Sequence, residues 1–278
     1  MTVLVFTILL FGVSVSAGLL GSLTGLGGGV VLIPVLTLIF KVDIHYAIGT
    51  SLISVIATSS GAAAAYVKEG ISNIRLGIFL ELATTTGAIT GAFLATYVST
   101  ATIAVIFGIV LIFSAIVSLR KHADHLVQGE GSALSRVFKL NNHFATREGI
   151  QHYTVKNIGG GFVMMNVAGI ISGLLGIGSG ALKVIAMDNI MRIPFKVSTT
   201  TSNFMIGVTA AASAGVYLKR GYIDPGLSMP VVLGVLLGAF IGSKILPWAS
   251  TRSLKILFAV VILLLAVEMI YNGILHKI

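Results

Sequence analysis

Gly25-Leu26-Gly27-Gly28-Gly29 returns as Gly176-Ile177-Gly178-Ser179-Gly180, an offset of 151 (176 − 25). The same offset, without a gap, pairs Ala17-Gly18 with Ala168-Gly169 and Thr50-Ser51 with Thr201-Ser202. It also pairs Tyr66, Lys68 and Gly70 with Tyr217, Lys219 and Gly221, Gly87 and Gly91 with Gly238 and Gly242, and Ser99-Thr100 with Ser250-Thr251. Chance composition does not hold one register over such a distance, and a repeat of this kind dictates two copies of one folding unit. The chain divides into a first repeat, 1–120, a connecting loop, 121–153, and a second repeat, 154–278.

Each unit is built for lipid. Only 10% of the residues are charged and 56% are hydrophobic, against about 25% charged in a soluble domain. Too few polar side chains exist to cover a water-soluble globule, and the same numbers exclude disorder. Long apolar runs at about 2–22, 45–67, 74–98, 101–119, 154–175, 196–218, 225–249 and 253–273 read as membrane helices. Two shorter runs, about 26–40 and 177–191, each follow a glycine cluster and end at Lys41 or Arg192. They read as half-length or re-entrant helices. The N-terminal run lacks a basic leader and continues into the first glycine cluster, so it is expected to be a retained span.

The fold class expected is therefore an all-α polytopic membrane protein of two homologous five-segment halves. An odd number of spans per half makes the second enter the membrane from the opposite side, an inverted repeat. Loop charges agree in part. The turn at 97–103 has no basic residue, whereas its counterpart has Lys244, Arg252 and Lys255 on or near it. A basic 121–153 loop in the cytoplasm leaves both termini outside, with Lys219 and Arg220 against the trend. The net charge of +9 reads as this loop bias rather than as a nucleic-acid surface. The loop carries His122, His125, His143 and His152 at spacings that match no ligand pattern, and the chain has no cysteine. No metal, cofactor or catalytic residue is expected. Flanks at 138–142 and 150–155 around a polar turn suggest a small β-hairpin.

Consecutive glycines are poor helix interiors, costing ~1 kcal/mol each relative to alanine. A helix broken there presents backbone N–H groups and the positive end of the following short helix, a ready anion site. Gly25, Gly27, Gly28 and Gly29, and Gly176, Gly178, Ser179 and Gly180, are the candidates. Thr50 and Ser51 open the next helix, and Thr201, Ser202 and Asn203 open its counterpart. They add hydroxyls and an amide that hydrogen-bond an oxyanion without a full charge's desolvation cost. Close helix packing explains the Gly234, Gly238 and Gly242 series. Ionisable residues inside apolar runs are few and point to function. Lys183, whose repeat partner is Leu32 (183 − 151), is the candidate cationic contact for an anion. Glu81, opposite Val232, is the candidate proton carrier.

The twin stretches GLLGSLTGLGGGVVLIPVL and AGIISGLLGIGSGALKV, each followed by a Thr-Ser helix start, resemble the sulfite exporter TauE/SafE family of membrane permeases. STTTSNFMIGVTAAAS strengthens the likeness. The resemblance covers both halves. It departs from the family at Ser179, where a glycine triplet is common, and at Pro34, which aligns with Ile185. It implies a secondary transporter in the prokaryotic plasma membrane, exporting a small anion such as sulfite or an organosulfonate. The alternatives are a passive anion channel or a permease for another small organic anion. The partners expected are that anion and the lipid bilayer, with no nucleic acid and a homodimer left open. Only His45 and His276 lie outside the loop, near segment ends, and no HExxH occurs, which argues against an intramembrane enzyme.

Overall fold

The computed structural model describes residues 2–24, 28–68, 71–119, 133–138, 140–146, 149–245 and 251–275. The chain is mostly helical. α1 (Val3–Thr24) leads to a short α2 (Gly29–Pro34), which runs on as a π-helical turn, Val35–Ile39. Then come α3 (Ile44–Lys68), α4 (Ile74–Ala95) and α5 (Thr100–Leu119). A short α6 (Ala133–Val137) and a hairpin of β1 (Asn142–Thr146) and β2 (Gly149–Tyr153) follow. The order then repeats: α7 (Ile158–Leu175), a short α8 (Gly180–Ile185) with its π turn Ala186–Ile190, α9 (Phe195–Lys219), α10 (Pro225–Ile245) and α11 (Thr251–Ile274).

The second series reproduces the first at the offset read from the sequence. Gly29, Val35, Ile44, Lys68, Ile74 and Thr100 open or close elements whose counterparts begin or end at Gly180, Ala186, Phe195, Lys219, Pro225 and Thr251. Even the stop signal is shared. Lys41 (φ 54°) and Arg192 (φ 59°) are both left-handed non-glycine residues just past a π turn, where a helix commonly ends on such a residue. At ~1.5 Å per residue, Gly29–Ile39 spans about 16 Å, roughly half of a ~30 Å hydrocarbon core. The short runs are thus half-length, as expected.

The halves interlock by exchange. α1 packs on α10 and α7 on α4, while α3 packs on α9 and α5 on α11. Glycines make the first two interfaces. A Cβ on Gly18 would strike the Val235 carbonyl, and one on Gly238 the Val15 carbonyl. At the reciprocal interface Gly169 faces the Thr84 carbonyl and Gly87 the Asn166 carbonyl. Close backbone approach between small residues is how helices associate where lipid removes the hydrophobic drive.

Four helices among the described residues are long and apolar enough to cross a membrane: Val3–Gly21, Ile74–Ala95, Ile158–Leu175 and Pro225–Gly242. These lie on α1, α4, α7 and α10, the members of the two glycine-packed pairs. α9 is longer but richer in Ser and Thr, among them the buried Thr200, Thr201, Ser202, Thr209 and Ser213. The exterior carries exposed Leu4, Ile78, Leu82, Phe93, Leu237 and Leu264, while Ser51, Ser54, Thr84, Ser202 and Thr209 are buried. Apolar outside and polar inside is the distribution a bilayer demands.

The hairpin forms as expected, but its strands sit closer together in sequence than the flanks predicted. Arg147 and Glu148, at its turn, lie outside the described residues. Asn141, read as part of the first flank, lies just before β1, accepts the Val155 N–H at 2.9 Å and closes the open end. Phe144 and Tyr153 pack with Leu76, Leu80, Ile158 and Val197, which fastens the hairpin to the helical body. Asn73 completes the attachment. Its Oδ1 caps α4 by accepting the Leu76 N–H at 3.1 Å, and its Nδ2 donates to the Leu140 carbonyl at 2.8 Å and to Tyr153 Oη at 2.9 Å.

Candidate anion site between the short helices

The second glycine cluster is a left-handed turn. Gly176 (φ 67°), Gly178 (φ 72°) and Ser179 (φ 46°) all have positive φ and lead α7 into α8. Glycine adopts this conformation without a Cβ penalty, whereas Ser179 bears the strain. The turn lies against the first cluster. Ser51 Oγ donates to the Gly176 carbonyl at 3.0 Å. A Cβ on Gly29 would strike Ser51 Oγ and stand 3.4 Å from that same carbonyl. In the other half Ser202 Oγ donates to the Gly180 carbonyl at 3.2 Å. The structure therefore brings together Gly29, Ser51, Gly176, Ser179, Gly180 and Ser202. Gly28 precedes α2 and its carbonyl accepts from Val31 and Leu32 N–H. Gly25 and Gly27 lie outside the described residues.

A cavity of about 10 Å³, at the lower limit for one water, lies where these elements meet. Val30 lines it from α2, Ile177, Ser179 and Gly180 from the second cluster, and Val110 and Ser114 from α5. Ser179 is buried and its Oγ has no hydrogen-bond partner among the described residues. An orphaned buried hydroxyl of this kind costs about 1–3 kcal/mol, and an acceptor group brought to it would recover that.

Thr50 and Thr201 are fully buried but turned elsewhere. Thr50 Oγ1 lies 3.4 Å from Ser228 Oγ of α10, and Thr201 Oγ1 accepts the Asn73 N–H at 3.0 Å. Each ties its helix to the opposite half. Asn203 is half-buried on α9.

Lys183 lies one turn beyond Gly180 and is fully buried. Its Nζ donates to Thr209 Oγ1 of α9 at 2.5 Å. Thr209 Oγ1 is 2.6 Å from Glu81 Oε1 of α4, and Thr85 Oγ1 donates to the same oxygen at 3.2 Å. The two charges singled out in the sequence are thus joined through one hydroxyl across the two halves. Thr209 was not anticipated. A signal existed: it follows Ser202 by two helical turns, which places both on one face of α9. A buried ammonium and carboxylate of this kind remain stable in a low-dielectric interior only as a compensated, hydrogen-bonded pair.

The sulfite exporter TauE/SafE family model matches residues 10–269. Relatives include the probable membrane transporter protein YunE of Bacillus subtilis, 28% identical over 266 residues that span 93% of this chain and 95% of that one. YdhB of the same species is also named a probable membrane transporter protein. It is 26% identical over 228 residues, 82% of this chain and 85% of its own. MJ0441 of Methanocaldococcus jannaschii, likewise named, is 24% identical over 267 residues, 90% of each chain. No solved structure matches the chain. A family match over nearly the whole length, lipid-facing helices and a polar interior lead to one conclusion: the chain is a multi-pass membrane transporter and belongs to the sulfite exporter TauE/SafE family.

Proposed function

We propose that the protein is a secondary transporter that exports a small sulfur oxyanion or organosulfonate across the prokaryotic plasma membrane. Two transmembrane repeats, 1–120 and 154–278, related as an inverted pair and joined by a cytoplasmic 121–153 loop, rock against each other about a site at their interface. The observation that carries this reading is the meeting of the starts of both short helices beside the buried Ser179 hydroxyl, which has no hydrogen-bond partner among the described residues, one turn from a fully buried lysine. Helix N-termini favour negative charge. Broken half-helices meeting near mid-membrane are a recurring way of holding an anion without dedicated charges. Backbone N–H groups of the glycine clusters, the hydroxyls of Ser179, Ser51 and Ser202, the more peripheral Thr50, Thr201 and Asn203, and the Lys183 ammonium supply the donors. Glu81 couples transport to protons.

The test is flux in proteoliposomes loaded with sulfite or an organosulfonate. Lys183→Ala is expected to abolish transport or weaken it by at least tenfold. Near-normal flux at several substrate concentrations removes Lys183 from the site.

A further inference from the structure

The Lys183–Thr209–Glu81 chain goes further than a list of anion contacts. An ammonium only donates hydrogen bonds, so at 2.5 Å Thr209 Oγ1 must accept from Lys183. The hydroxyl's one proton then faces either Glu81 Oε1 at 2.6 Å or the Met205 carbonyl at 3.0 Å. The shorter contact, to the oxygen of a carboxylate, is the stronger. Glu81 Oε1 is thus fully engaged, while Oε2 is buried and has no hydrogen-bond partner among the described residues. The carboxylate has one satisfied oxygen and one bare one, at a depth where a full negative charge is costly.

Among the described residues Lys183 is the charge joined to Glu81, through Thr209. α7 brings no ionisable side chain to the group, and the ionisable residues of α9 are Lys196, Tyr217 and Lys219, near its ends. Tyr217 is the nearest to Thr209, eight residues on (217 − 209), about 12 Å along the helix. Arg75, on the exposed first turn of α4, faces the surface, and Asp188, buried in the π turn after α8, is the other carboxylate close to Lys183 in the chain. The repeat provides no second copy: the partners of Lys183, Thr209 and Glu81 are Leu32, Thr58 and Val232, at the offset of 151 (183 − 32).

We infer that a substrate anion and the Glu81 carboxylate compete for the single Lys183 ammonium, so that anion binding takes up one proton, onto Glu81 Oε2. The inference rests on the reading of the site as an anion site. Two negative groups cannot share one buried cation, because the excess charge stays in a low-dielectric interior. Protonating Glu81 neutralises the intruder's rival and leaves the ammonium to the substrate. No bond other than the O–H forms, and the proton comes from water. Glu81 sits on α4 of the first half and Lys183 and Thr209 on the second. Movement of the short α8 against the α4–α7 pair parts Lys183 from Glu81 when the substrate, rather than Glu81, holds the lysine. Proton and anion move together, and Thr209 is the positioning residue that holds the pair closed between cycles.

The experiment is calorimetric titration of the purified wild-type protein with methanesulfonate, whose own charge does not change over the accessible pH range. Repeating it in buffers of different ionisation enthalpy counts the protons. Uptake of about one proton is expected, with Kd rising tenfold per pH unit on the alkaline side, as one-proton linkage requires. Thr209→Val is expected to shift the pH midpoint of affinity, and Thr209→Ser to restore it. Methanesulfonate binding by wild type without proton uptake overturns the inference and leaves the anion site standing. Absence of binding to methanesulfonate, sulfite and sulfate alike overturns the site itself. Both outcomes are read on the wild type, so neither depends on a variant folding.

Discussion

Gly215 and Gly238 both lie inside long helices, yet replacing them has opposite expected effects. A Cβ on Gly215 meets nothing within 4 Å. Gly215→Ala removes backbone freedom from the unfolded chain and should stabilise by ~0.5–1 kcal/mol. Gly238 presses on the Val15 backbone, so Gly238→Ala forces α1 and α10 apart and should cost about 1–3 kcal/mol. Thermal unfolding in detergent distinguishes them: a rise in Tm for Gly238→Ala would mean that the α1–α10 contact is not tight. The spacing of Gly234, Gly238 and Gly242 disclosed this packing in advance, because small residues four apart mark one helix face. Lys183 and Glu81 were equally visible, as charges in apolar runs. Their union was not, since no local pattern reports that a side chain on α8 and one on α4 reach the same hydroxyl on α9.

At the scale of elements, the helices and the half-length pieces followed from apolar runs and glycine clusters, with boundaries within a few residues for most of them. The π turns were invisible, because Val35–Ile39 and Ala186–Ile190 share no residue pattern that separates five-residue from four-residue hydrogen bonding. Register in the hairpin was lost for a different reason. Asn141 and the polar residues after it carry turn chemistry, but tertiary bonds to Val155 and Asn73 decided where the strands begin. Asn73 is the attachment on which this element depends. Asn73→Ala deletes the α4 cap and two bonds to the loop and hairpin, an expected loss of about 2–3 kcal/mol. The loss should be local: limited proteolysis within 142–153 should accelerate while the helical body stays intact. The same variant leaves the Thr201 hydroxyl bonded to the Asn73 backbone N–H, so protease sensitivity without a matching loss of anion binding is the expected pairing. Equal loss of both would show that the hairpin and the candidate site open as one unit.

For the whole molecule, the exchange of helices between halves is what any two-fold relation gives, inverted or parallel, and the membrane orientation of the halves follows only from loop charge. The chain has no cysteine, so single cysteines report orientation without a background to remove. With the 121–153 loop inside, a cysteine at Ser132 in that loop should resist an impermeant maleimide applied to intact cells and react after permeabilisation. A cysteine at the exposed Tyr97, in the turn between α4 and α5, should label from outside. The corresponding segment of the second half, 246–250, should label only from inside. That third position decides the matter. Two halves of like orientation would expose both segments to the same side, and a re-entrant rather than crossing path for α2 and α8 would leave an even number of spans per half and the same result. Opposite labelling of the two segments is the outcome that an inverted pair requires. Labelling of both from one side would dissolve the mid-membrane meeting of two positive helix ends on which the anion site depends.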